Sequence, residues 1–443
     1  MNSVFAQVAL VFVFNLVGYA CNVAANAILT NNLPLHLYGD FACAWRSLGL
    51  ISQLVIFGTT LSANTFMARY AMASDEEKQR GFMIWNFRLV FKLFMILFLL
   101  YLSFWGVALV THTHEQFSGS YHLSAFVAIF GPVLALTAII RNYILAKGYP
   151  TLASFSGSVI WYGVKLGVVA FGFIVFVPTT DLHLSYLVVV TLFVLLVVNA
   201  LAYSLLPENE LYDSLKDSLS LRKENRKKPY FRKEWYDVSK GAVVGNLFAT
   251  ISATAGIYLV EIFSPSEHNV ALFNICLVSV GFVWLLLDSM NALYRARVAA
   301  ISSLSKQQLA SLQHALDAIG IVRLTLTATS MYLYYLFSGD IFAFFNVSDT
   351  QHAILLPLML LSTYFENSAG LRVTYLMSHN QQAYCIITQL IRMVSMIGLG
   401  IYLVITYDIY GVVIANFISR LIKLVLLTYK CRQKTSIRFN RFF

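Results

Sequence analysis

Charged side chains are scarce in this chain: they make up 12% of its 443 residues, while 58% are hydrophobic. Soluble globular domains carry roughly a quarter charged residues, so a water-soluble globule is excluded and a polytopic membrane protein is expected. Cysteine is scarce too. Cys21, Cys43, Cys276, Cys385 and Cys431 show no paired metal-ligand spacing, and most lie in or beside apolar runs, where they read as small core residues. No metal, cofactor or disulfide is expected. Acids are outnumbered, with 21 Asp and Glu against 31 Lys and Arg and a formal net charge of +10. The bases are nevertheless dispersed through loops and apolar runs, without a basic domain or recognition motif, which argues against a nucleic-acid partner. His112 and His114 in an exposed Thr-His-Thr-His run lack a third ligand and are expected to be solvated.

Long polar stretches are also missing, with one exception at residues 207–237, PENELYDSLKDSLSLRKENRKKPYFRKEWYD. On each side the chain is a series of apolar runs of about 20 residues, the length of a helix that crosses a bilayer. Six fall before it, at roughly 4–30, 40–67, 83–110, 122–145, 153–177 and 184–206. Six follow, at roughly 238–262, 270–294, 311–337, 352–377, 383–406 and 409–429. The first is longer than a signal-peptide core and has no basic n-region, so it reads as a membrane span despite its Ala25-Asn26-Ala27 end.

Loop charge tests this count. With the linker on the cytoplasmic side, the loops predicted to be external are 31–39, 111–121, 178–183, 263–269, 338–351 and 407–408, and none contains Lys or Arg. The internal segments hold Arg69, Lys78, Arg80, Lys147, the linker bases, Arg295, Arg297, Lys306, Arg372 and a basic tail. This is the partition of the positive-inside rule for twelve spans with both termini in the cytoplasm. The expected organisation is therefore an all-α protein with an N-terminal six-helix lobe at 1–206, a cytoplasmic basic linker at 207–237, a C-terminal six-helix lobe at 238–429 and a basic tail at 430–443. The halves share a faint likeness. Each has an internal helix start, at Ser74-Asp75-Glu76-Glu77-Lys78-Gln79 and Ser303-Leu304-Ser305-Lys306-Gln307-Gln308, followed by a span that contains bases. Such a repeat would be parallel, with its axis along the membrane normal.

Ionisable residues inside spans cost roughly 2.5–3.5 kcal/mol each and usually face a bundle interior or a wet cavity. Here they include Arg46, Lys165, Asp288, Arg323, Glu366 and Arg392, with Glu261 at the end of the seventh span. Arg46 and Lys165 have no obvious acidic partner in their own half and are the leading candidates for a cationic cavity, joined by Arg323 and Arg392. Such a cavity suits an anion, above all a lipid phosphate or pyrophosphate, which Arg grips in a bidentate way and Lys as a point charge. Plainer roles stay open. Arg323 can pair with Glu366 or Asp288; Arg392 can snorkel, as Arg420 and Lys423 are expected to; Arg88 and Lys92 read as interfacial. Asp288, Glu366 and Glu261 can carry a coupling ion or form structural ion pairs. Asn15, Asn22, Asn26, Asn64 and Asn199 can hydrogen-bond across helices, and Gly131-Pro132 can break the fourth span.

The runs Leu33-Pro-Leu-His-Leu-Tyr-Gly-Asp-Phe-Ala, Leu48-Gly-Leu-Ile-Ser-Gln-Leu-Val-Ile-Phe-Gly, Phe66-Met-Ala-Arg-Tyr-Ala and Asp75-Glu-Glu-Lys-Gln-Arg-Gly resemble the opening of bacterial polysaccharide flippases. These are the O-antigen and capsule exporters of the multidrug/oligosaccharidyl-lipid/polysaccharide (MOP) superfamily. The resemblance implies a transporter of the cytoplasmic membrane that carries an undecaprenyl-pyrophosphate-linked oligosaccharide to the outer leaflet, its two lobes rocking about a central cavity. It also implies membrane lipids and other polysaccharide assembly proteins as partners. The rival within this fold is a cation-coupled multidrug exporter. A membrane glycan polymerase or ligase is a more distant alternative, because its catalysis calls for a large external loop and the external loops here are short.

Overall fold

In a computed structural model the chain is mostly helical, without strands, across the described residues, which are 2–72, 75–110, 124, 126–147, 149–175, 180–204, 206, 229–266, 268–299, 301, 305–347, 352–435, 437 and 439. Most of the linker and the loop with His112 and His114 lie outside them. The first half contains α1 (Asn2–Asn32), α2 (Leu35–Ile56), α3 (Thr59–Met72), α4 (Glu76–Val110), α5 (Gly131–Ala146), α6 (Pro150–Val175) and α7 (Asp181–Ser204). The second contains α8 (Pro229–Phe263), α9 (His268–Ala299), α10 (Lys306–Leu336), α11 (Ser338–Phe344), α12 (Leu355–Ser378), α13 (Gln382–Tyr407) and α14 (Ile409–Lys434). Helix makes up most of the described part of each predicted span. Nine helices among the described residues are long and apolar enough to cross a membrane.

Lipid acts as solvent for much of this surface. Ile174 is 82% exposed and Tyr402 69%, a surface that water would penalise and hydrocarbon accepts, while the helical backbone satisfies its own polar groups as a bilayer requires.

Local chemistry explains the helix boundaries. Ser305 caps α10 by accepting from Gln308 N, and Gln308 Oε1 accepts from Ser305 N at 2.9 Å, a reciprocal capping box. Asp75 accepts from Lys78 N at 3.1 Å at the start of α4. Both expected helix starts are present. The second span is broken: Phe57 and Gly58 take φ of 50° and 68°, so α2 ends in a left-handed cap and α3 begins at Thr59. The fourth span is interrupted at Gly131-Pro132, as expected, and a Cβ at Gly131 would meet Ile51 of α2.

The contacts divide the chain into two compact units, Met1–Thr250 and Ile251–Phe443. The division lies inside α8 and not in the linker, because the start of α8 docks on the first unit. Trp235 donates to the Tyr70 hydroxyl at 3.0 Å and packs edge-on against Phe82, and Ser239 donates to Ser62 at 2.9 Å. Within the first unit α1 packs on α6, and α5 packs against α2, α3 and α7. Within the second, α12 packs against α9, α10 and α14, and α14 pairs with α13.

Candidate functional site

The first unit contains a polar seam running between α1 and α6. Ser158 donates to Asn15 Oδ1, Lys165 Nζ donates to Asn22 Oδ1 at 3.1 Å, and Tyr38 of α2 donates to Asn26 Oδ1 at 2.9 Å. Asn26 in turn donates to Asn22, and Ser156 to Asn199 of α7. Four of the five predicted asparagines therefore bond across helices; the side chain of Asn64 is outside the described part.

The seam depends on a local change of winding. Residues Phe155–Ile160 form a π turn inside α6, the kind of insertion that re-aims side chains at functional sites. Gly157 in that turn leaves room for Arg141: a Cβ there would lie 2.7 Å from Arg141 Nη1. Gly18 of α1 makes the same allowance for the Ser158 carbonyl, 2.6 Å from its hypothetical Cβ.

Lys165 sits where the seam meets aromatic rings. It is 5% exposed, with Nζ 5.2 Å from the Trp45 ring centroid and 5.8 Å from that of Phe41. Its hydrogen-bond partner is Asn22, and no carboxylate pairs with it among the described residues. An ammonium has three donors, so two remain for a ligand. Arg46 is half-buried, with its charge acting on both Lys165 and Tyr162, and Tyr162 lies within Coulombic reach of Arg141 as well. Trp161 stacks edge-on to Trp45, with ring centroids 6.3 Å apart. The structure therefore joins the two leading candidates, Arg46 and Lys165, and adds Arg141. The sequence reading missed Arg141 because it stands just inside the predicted end of the fourth span, where a base ordinarily reaches the interface. The glycine in the π turn of a neighbouring span was the hidden signal.

The second unit arranges its charges differently. Glu366 of α12 is the centre of an ion-pair cluster: Arg392 Nη1 is 3.1 Å from Oε2, Lys423 Nζ 2.8 Å from Oε1, and Arg420 Nε 3.9 Å from Oε2. Arg420 and Lys423 were expected to snorkel to the interface. They turn inward instead, since α12 and α14 pack side by side and bring the carboxylate within reach. Arg392 is likewise held by Glu366 and does not snorkel.

Arg323 pairs with neither of its expected acids. Asp288 is engaged by Arg295 at 2.5 Å on its own helix, and Glu366 by the three bases above. Glu261 is half-buried near the end of α8. Arg372, expected in an internal loop, lies within α12 and is 1% exposed.

No protein-family model and no curated protein sequence matches the chain. Solved structures do. An inward-facing multidrug resistance MATE family transporter of the MOP superfamily superposes with a TM-score of 0.70 at 14% identity, covering 95% of this chain and 96% of the other. This chain shares the MATE fold. An outward-facing MATE transporter of the same superfamily is similar at a TM-score of 0.59 and 13% identity, with 97% and 96% of the chains covered. So is a MOP superfamily transporter from Pyrococcus furiosus whose binding pocket is described as reversed in polarity, which suggests a different function for it; the TM-score is 0.59 at 13% identity, with the same coverage. At these identities the likeness to MATE structures establishes the fold alone.

Proposed function

We propose that this chain is a flippase that moves a polyprenyl-pyrophosphate-linked oligosaccharide from the inner to the outer leaflet of a bacterial cytoplasmic membrane, with both termini in the cytoplasm. The observation that carries the reading is Lys165: a buried ammonium without a carboxylate, held by Asn22 and two aromatic rings, in the electrostatic company of Arg46. A buried base left uncompensated by the protein suits an anionic cargo, since an anion that enters supplies the missing countercharge. Arg46 and Arg141 offer planar forks for phosphate oxygens, and Lys165 a point charge. The rings of Trp45 and Trp161 next to them suit the flat faces of sugars. Arg392 serves this function indirectly, by neutralising Glu366. Membrane lipids and polysaccharide assembly proteins are the partners this reading implies.

An organic-cation exporter, the other function compatible with the fold, would bind its cargo through acids. The seam at Lys165 offers bases and amides instead. The test is a reconstituted flipping assay, with the chain in liposomes containing fluorescent lipid-pyrophosphate-oligosaccharide and a parallel organic-cation efflux control. Movement of the lipid-linked sugar, unchanged chemically and lost in Lys165→Met, supports the flippase. Cation efflux without movement of the sugar lipid overturns it, and chemical conversion of the lipid would return the chain to the enzymes.

A further inference from the structure

α10 turns one stripe of residues inward: Leu316, Gly320, Arg323, Thr327 and Ser330 are all buried, at the three- and four-residue spacing that keeps one helix face against a neighbour. Leu316 belongs to an apolar core with Leu371, Leu376 and Leu424, but beyond Gly320 the stripe becomes polar. The facing stripe of α12 is polar as well. Tyr364, Ser368 and Arg372 follow one another at four-residue steps and are all buried. The charge of Arg323 acts on Arg372, and Tyr364 lies within Coulombic reach of both.

Arg323 is 2% exposed and has no hydrogen bond or ion pair to any described residue. Its Nε is buried without a partner, and so are the hydroxyl oxygens of Thr327, Ser362 and Ser368. Arg372 donates to the Ser368 carbonyl and lies 5.9 Å from the Phe439 ring centroid. Two guanidinium groups inside one helix pair repel each other, and a buried cation persists when something of opposite sign meets it. Unpartnered hydroxyls beside them add neutral donors, which are also costly to leave unused.

We infer that α10 and α12 enclose a second binding site, for an oxyanion of phosphate type, separate from the cluster around Lys165. Arg323 grips the anion through its planar fork, which matches phosphate oxygens in a bidentate way. Thr327 and Ser368 donate their hydroxyls, and Arg372 contributes charge from the other side. Because every one of these side chains is closed to solvent, the bound anion is occluded. The site does not depend on the flippase reading, and its chemistry admits either free phosphate or the phosphate of a lipid headgroup.

The test measures thermal unfolding of the full chain purified in detergent. Inorganic phosphate and short-chain phosphatidic acid are titrated separately at constant ionic strength, with gluconate as the control anion. The expected result is a saturable rise in Tm that gluconate does not produce and that persists in Lys165→Met. The apparent affinity should fall about tenfold in Arg323→Gln, the effect of losing one charge-assisted contact, and less in Thr327→Val. A response to inorganic phosphate identifies the free ion as sufficient; a response to phosphatidic acid alone identifies a headgroup site. The inference is overturned if neither probe raises Tm saturably, if the rise survives Arg323→Gln and Thr327→Val undiminished, or if Lys165→Met abolishes it. Should Arg323→Gln fail to fold, Arg323→Lys and Thr327→Val make the same comparison with the charge or the packing kept.

Discussion

The clusters around Glu366 in the second unit and Lys165 in the first both bury cations, and they treat them in opposite ways. Around Glu366, three bases from α13 and α14 converge on one carboxylate. Around Lys165, the protein supplies amide oxygen and ring faces. A carboxylate at ion-pair distance holds helices together and leaves its bases less for a ligand. A base met by weaker partners leaves its charge available. Under the proposed function, the first arrangement is structural and the second meets the anion.

Removing the carboxylate should have the largest effect. Glu366→Gln strands two buried bases, Arg392 and Lys423, and the half-buried Arg420, and breaking a buried ion pair from one side costs about 3–5 kcal/mol. Thermal unfolding of the purified variant should show that loss, and a variant as stable as the parent would remove the structural role assigned to Glu366. Lys165→Met should have the opposite profile. Replacing buried charge with apolar volume is often neutral or stabilising, by as much as about 1–4 kcal/mol, so Tm should hold or rise while lipid-linked sugar transport falls at least about tenfold, the value of one lost charge-assisted contact.

Asn22→Asp sharpens the contrast by giving Lys165 the countercharge that the other unit gives its bases. The protein should remain folded, and transport should fall because an internal anion now competes with the cargo; flux measured at rising concentrations of sugar lipid should show the loss partly recovered. The smallest effect belongs to Gly157→Ala. The added Cβ falls 2.7 Å from Arg141 Nη1 and 2.8 Å from its Cδ, so the flexible arginine must move aside. Tm should change by less than about 1 kcal/mol in equivalent stability, and flux should drop towards that of Arg141→Gln. Equal flux in Gly157→Ala and the parent would take Arg141 out of the site.

Apolar run length was enough to anticipate where the long helices lie, because the bilayer acts on each helix separately and leaves its requirement in local composition. Interior pairings were not legible in the same way. Lys423 meets Glu366 across 57 positions of chain, and nothing near either residue announces the other. Arg420 and Lys423 were therefore placed at the interface by a rule that is sound for a base near a helix end with no acid in reach. Arg46 and Lys165 were picked out because their half is poor in acids, and Lys165 is met by an amide oxygen. Arg141 was not, since its seat is made by a π turn, and a π turn has no clear sequence mark. The start of α8 at Pro229 instead of 238 has a similar cause: Trp235 is stabilised by contacts with Tyr70 and Phe82, partners far away in sequence.

That docking has a bearing on how the chain could be taken apart. The polypeptide that follows the linker brings Trp235 and Ser239 back to Tyr70 and Ser62 in the first unit, so the two lengths of chain on either side of residues 207–228 share one packed surface. A protease nick in that stretch, or expression as two separate polypeptides divided there, would leave each piece carrying half of a mutual lock. Reassembly from halves is then expected without a covalent join, whereas a division at Thr250, where the compact units part, would cut through a continuous helix.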